Sequence, residues 1–159
     1  MVHGQKADSA QFQLAIFCQY NPMMTNTLHD PIEEVTQDGC RIIREAGQDM
    51  LLCVYYAGYN RKCFDDGLPE MPIFWAKTIS LPDGKHANAL YVSEESRRYI
   101  VLDERLKDMS PLERLCLLHE MVHVKIDPIP GHGEEFIAEF KRVLDVSQWE
   151  VMGCFDSPT

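Results

Sequence analysis

Residues 110–124 run Ser110-Pro111-Leu112-Glu113-Arg114-Leu115-Cys116-Leu117-Leu118-His119-Glu120-Met121-Val122-His123-Val124, and the fold follows from how this stretch is accommodated. Serine, proline and then a glutamate three residues after the serine make a helix-start signal. Ser110 is expected to cap, Pro111 fits the first helical position, and Glu113 completes a capping box. Beyond it the helix is apolar on nearly every side (Leu112, Leu115, Cys116, Leu117, Leu118, Met121, Val122), as befits a helix inside a domain. His119, Glu120 and His123 interrupt that surface, and their burial costs on the order of several kcal/mol unless something satisfies them.

A metal ion satisfies them directly. His119-Glu120-Met121-Val122-His123 is an H-E-x-x-H motif, in which residues four apart share one helix face and both imidazoles can reach one ion. Glu120 is then the candidate catalytic acid/base, a carboxylate beside the metal that is not a ligand. Three imidazoles favour zinc among the divalent metals, and His132 is the expected third ligand. Two prolines, Pro128 and Pro130, end the helix, and Gly131 and Gly133 let the chain approach closely on either side of His132. Glu135 and Glu139 compete for the third position, with Glu134 a further acidic neighbour. Asp127, one turn beyond His123, is a candidate to orient a ligand imidazole or simply to end the helix. His3, His29 and His86 lie away from this constellation.

Upstream, Asp30-Pro31-Ile32-Glu33 repeats the helix-start signal. Ile32, Val35, Ile42, Ile43 and Ala46 then recur at helical spacing despite Gly39, which predicts an N-terminal helix. Met50 to Phe64 is predicted helical too, after a break at Ala46-Gly47. Met71 to Ser80, Ala89 to Ser93 and Tyr99 to Asp103 are rich in strand formers; Pro82-Asp83-Gly84 follows the first, and Glu94 to Arg98 joins the other two as a hairpin. A last helix begins near Gly133 and carries Phe136, Ile137, Phe140, Val143 and Leu144 on one face. Gln11 to Tyr20 fits a strand or a short helix, residues 1–10 are expected to be a loose leader, and Trp149 is expected to pack. The result is one α+β domain over residues 11–159, with N-terminal helices, a small and mostly antiparallel sheet, an active-site helix and a closing helix.

Composition narrows the classes. Cys18, Cys40, Cys53, Cys63, Cys116 and Cys154 are scattered and never paired as C-x-x-C, so reduced and mostly buried thiols are expected. No stretch suits a membrane helix and no secretory signal is visible, which makes the cytoplasm the expected compartment. A net charge of −10 disfavours direct binding to nucleic acid.

The run from Leu117 to His123, followed by Gly131-His132-Gly133-Glu134-Glu135-Phe136, resembles the SprT-like metallopeptidase domain. The likeness extends to Tyr59-Asn60-Arg61-Lys62-Cys63-Phe64, Leu68-Pro69, Phe74-Trp75-Ala76 and Tyr99-Ile100-Val101-Leu102, and covers about Asn60 to Leu144. It implies a zincin-like fold in which His119, His123 and His132 hold one zinc ion, Glu120 is the acid/base, and a protein or peptide is the substrate. Ile126 and Ile129 stand where a metzincin pattern wants glycine and histidine. Some relatives cut proteins bound to DNA with the help of basic elements, and this acidic chain does not carry that over. Tyr91, Tyr99 and Arg98 are candidates to stabilise an oxyanion. Two other readings are a metal-stabilised module that binds a partner through its sheet edge, and a protease of nucleic-acid-associated proteins.

Overall fold

A computed structural model describes residues 30–147. The leader, the Gln11–Tyr20 segment, His3, His29, Cys18, Trp149 and Cys154 lie outside the described residues. Those described form an α+β fold of three α-helices and a mixed five-stranded sheet.

The region expected to be the N-terminal helix is instead a β-hairpin, β1 (Ile32–Val35) and β2 (Arg41–Arg44), paired antiparallel. The physical reason lies in its turn. The Gly39 N–H donates to the Thr36 carbonyl, Cys40 N–H donates to Thr36 Oγ1, and Gly39 sits at φ +84. A turn followed by a left-handed glycine is hairpin chemistry, and a helix cannot use that conformation. Cross-strand ion pairs then reinforce the register, Arg41 with Glu33 at 2.6 Å and Arg44 with Glu34 at 2.9 Å. Gly39→Ala is expected to lower stability by about 1–2 kcal/mol, read from the midpoint of urea unfolding, because alanine is strained at positive φ.

α1 (Met50–Phe64) is capped by Asp49, whose side chain accepts from the Leu52 N–H. It ends where Asp65 and Asp66 both turn left-handed. β3 (Ile73–Ser80), β4 (Ala89–Glu94) and β5 (Arg97–Asp103) complete the sheet in the order β1-β2-β3-β5-β4. Among the described residues only β3 and β5 run parallel, and β4 is an edge strand paired with β5 alone. α2 (Ser110–Ile126) starts at Ser110 itself, flanked by Met109, with no side-chain cap. Ser110 is therefore not the cap, and Glu113 is a buried carboxyl rather than half of a capping box. α3 (Glu134–Ser147) comes after the loop that carries His132.

Alternation along the strands divides the apolar residues into two cores. Ile73, Trp75, Ile100 and Leu102 face the helices and pack with Leu52, Leu117, Leu118, Met121, Phe136 and Val143. Ala76, Tyr99, Val101 and Val92 face the other way, and join Ile42 and Ile79 in a second cluster to which no helix among the described residues contributes. A register shift beside Arg44, where the β2 pairing skips Lys77, puts Ala76 and Ile79 on the same face despite their odd spacing. The sheet curls over this second core until the hairpin meets the β4–β5 turn. There the Gln37 N–H donates to Glu94 Oε1 at 2.7 Å, and Arg97 pairs with Glu34 at 2.8 Å. Cys40 and Cys63 are buried and Cys53 and Cys116 partly so, all four as free thiols. No helix among the described residues is long and apolar enough to cross a membrane.

Candidate metal centre

α2 enters the helix-side core on Leu117, Leu118, Met121 and Val122, all at zero exposure. That packing turns the remaining face, with His119 and His123 one turn apart, toward the loop and α3. The loop then brings His132 back over them. His132 Nε2 lies 2.9 Å from His119 Nε2 and 3.2 Å from His123 Nε2. The ligand atoms of the three residues fall within 4.8 Å of one another, and among the described residues no carboxylate or thiol joins the group.

The two separations from His132 are close to those a metal imposes. With zinc–nitrogen bonds of about 2.0–2.1 Å, tetrahedral geometry puts ligand nitrogens about 3.3 Å apart. The donor set is chemically suited as well, since imidazole nitrogens serve zinc and its neighbours, whereas calcium and magnesium want oxygen. The trio could therefore hold a metal ion. Phe136 forms its floor: the ring centroid is 4.8 Å from that of His119, and 4.5 Å from those of His123 and His132. Phe140 packs edge-on to His119. In the sequence, Phe136 is visible only as one residue of an apolar helix face and of the G-H-G-x-x-F pattern.

Burial, together with the adjoining His123 and His132 rings, holds the His119 imidazole down at about 4. Burial and the His132 ring hold His123 at about 4 also. Both are thus neutral at pH 7 and offer lone pairs. Glu120 is 5 % exposed, and burial pushes its carboxyl up to about 8, partly offset by a hydrogen bond from the β4 backbone. That bond runs from the Tyr91 N–H to Glu120 Oε2 at 2.8 Å, while Oε1 lies 4.0 Å from His119 Nε2. One oxygen is held by the edge strand, and the other looks toward the histidines.

These three shifts set a pH profile for the metal-free protein. Below about 6.5 the unfolded chain binds protons that the folded His119 and His123 refuse until about 4, so stability falls as pH drops through that window. Above about 4.5 the unfolded chain ionises a glutamate that the fold keeps protonated to about 8, so this contribution is lost as pH rises through that window. Two histidines outweigh one glutamate below 6.5, and the glutamate alone acts above it. Urea unfolding with a chelator is expected to show the combined contribution of these groups peaking near pH 6.5, with the alkaline limb flattened in Glu120→Gln.

The remaining candidates fall elsewhere. Glu139 is engaged by Arg142 at 2.6 and 2.9 Å, and Glu135 lines a shallow groove beside Lys125 and Ile129. Glu134 stands exposed in the first turn of α3. Asp127 touches no ligand imidazole through a hydrogen bond; its Oδ2 accepts instead from Tyr91, Ser93 and Arg98. Of the proposed oxyanion donors, Tyr99 is buried in the second core and donates to Glu34, while the Tyr91 hydroxyl and Arg98 are spent on Asp127. His86 makes an isolated bridge to Ser80, away from the triad. No protein-family model, curated protein or solved structure matches the chain.

Proposed function

We propose that the chain is a zinc-dependent peptidase of the zincin type, akin to the SprT-like enzymes. The observation that carries the reading is the meeting of three imidazoles, close enough to share one ion, beside a buried glutamate that is not among them. His119, His123 and His132 would hold the ion. Bound zinc supplies Lewis acidity, drawing the pKa of water toward 7 and polarising a carbonyl.

The chain's own groups provide the rest. Glu120, fixed through Oε2 by the Tyr91 N–H, would present Oε1 in its ionised form, which a neighbouring dication favours over the protonated form of the metal-free protein, to take a proton from the attacking water and to pass it to the leaving amine. Among the described residues β4 pairs on one side only, so its outer peptide groups, the Tyr91 N–H apart, can take an extended substrate as an additional strand. Phe136 and Phe140 line one side of the centre with apolar surface.

Protein purified without chelator is expected to carry one zinc per chain and to cleave an unfolded protein such as reduced, alkylated casein. A chelator should stop cleavage, and added zinc should restore it. A chain that binds no zinc in titration sinks the proposal. Zinc binding with no hydrolysis of casein or of an unbiased peptide library leaves the metal site but removes the peptidase, and favours a metal-stabilised binding module.

A further inference from the structure

Asp127 closes α2, its N–H donating to the His123 carbonyl at 3.0 Å. Its carboxylate collects three donors on one oxygen. Oδ2 accepts from the Tyr91 hydroxyl at 3.2 Å, the Ser93 hydroxyl at 3.0 Å and Arg98 Nη2 at 2.9 Å. Tyr91 and Ser93 belong to β4 and Arg98 to β5, so a single side chain ties the end of the helix to the edge hairpin. Tyr91 makes a second tie, since its backbone N–H holds Glu120. The strand is thus bonded to α2 at two points seven residues apart, about 10 Å along the helix axis.

The clamp matters because the His132 loop starts at Asp127. His132 is the one member of the triad outside α2, and it is exposed. Its loop is loosely packed: a Cβ placed on Gly131 or Gly133 would meet nothing within 4 Å. The loop gives His132 little support of its own, so its position rests on the two ends, Asp127 on one side and, on the other, the start of α3 with the Phe136 ring against the imidazole. An ion needs its ligand nitrogens placed to within a few tenths of an ångström.

We infer that Asp127 is a positioning residue of the metal centre, anchoring the start of the His132 loop to the β4–β5 hairpin so that His132 meets His119 and His123. The inference rests on the proposed metal-binding role of the three histidines. It differs from an outer-shell contact to an imidazole, because Asp127 acts through the backbone on both sides of it. A carboxylate suits the role: one anionic oxygen can serve two hydroxyls and a guanidinium together, and the bond to arginine is charge-assisted.

The test uses the full chain and compares Asp127→Ala, Asp127→Asn and the second-core variant Ile42→Val. Zinc affinity is measured by competition with a chromophoric chelator, the geometry of the centre by the visible spectrum of bound Co2+, and the fold by circular dichroism. Asp127→Ala is expected to bind zinc about 10–100-fold more weakly than the parent, with an altered Co2+ spectrum. Asp127→Asn, which keeps an acceptor for the hydroxyls, is expected to recover much of that loss. Ile42→Val is expected to unfold at lower temperature with parental zinc affinity, which separates positioning from stability. Parental affinity and spectrum in a folded Asp127→Ala overturn the inference and leave the metal site standing. If Asp127→Ala does not fold, the double variant Ser93→Ala/Arg98→Gln, altered at two exposed side chains, decides. Weakening by about tenfold supports the clamp, and unchanged affinity overturns it. A parent chain that binds no zinc fails the metal reading and this inference together.

Discussion

Glu120→Gln is expected to hydrolyse peptide bonds about 10²–10⁴-fold more slowly than the parent while binding zinc with little change. Glutamine keeps an oxygen for the Tyr91 N–H, so the edge strand stays in place. It cannot accept the proton that the attacking water must lose, and the loss should therefore fall on kcat rather than on KM. Steady-state kinetics on a fluorogenic peptide, with metal content measured on the same samples, checks both halves. Retention of parental kcat would remove Glu120 from the reaction and leave its burial as packing alone.

The second large effect concerns the metal. His123→Ala is expected to weaken zinc binding by more than about a hundredfold, since loss of a mere outer-shell partner already costs about 10–100-fold. His132→Ala should behave in the same way, whereas Glu135→Ala should bind zinc as the parent does, because Glu135 faces a groove away from the imidazoles. Chelator competition on the purified variants reads all three. The reverse pattern, with Glu135→Ala losing zinc and His132→Ala retaining it, would replace the third ligand.

Much of this arrangement is legible in the amino-acid sequence, and the parts that are not share a cause. His119, Glu120 and His123 announce themselves because polar residues at a four-residue spacing stand out on an otherwise apolar helix. Met50–Phe64 and the three later strands are likewise recognised from residue type and period. The hairpin from Ile32 to Arg44 deceives because Asp30-Pro31-Ile32-Glu33 imitates a capping box, and its isoleucines satisfy helical spacing as well as alternation. What settles it is the left-handed conformation at Gly39 and pairing with β3. Both are tertiary facts: a glycine in the sequence is only permission for positive φ. The contacts of Asp127 escape for the same reason, since Tyr91, Ser93 and Arg98 lie 29 to 36 residues away and converge only after the sheet has formed. Phe136 is correctly expected to be buried, but only the fold shows that what it lies beneath is the triad.

The second core bears on how metal uptake and folding are linked. Ile42, Ile79 and Val101 have zero exposure on a face of the sheet that the histidines never approach, and His132 hangs on a loop outside either core. Both cores are built from apolar side chains of the helices and strands, without the three histidines. On the proposed reading, zinc would therefore bind a chain whose cores form without it, unlike a zinc finger, where binding and folding are one free energy. Metal should accordingly come and go as an exchangeable ligand, raising the unfolding temperature in proportion to the logarithm of its free concentration above Kd, without deciding whether the chain is folded at all.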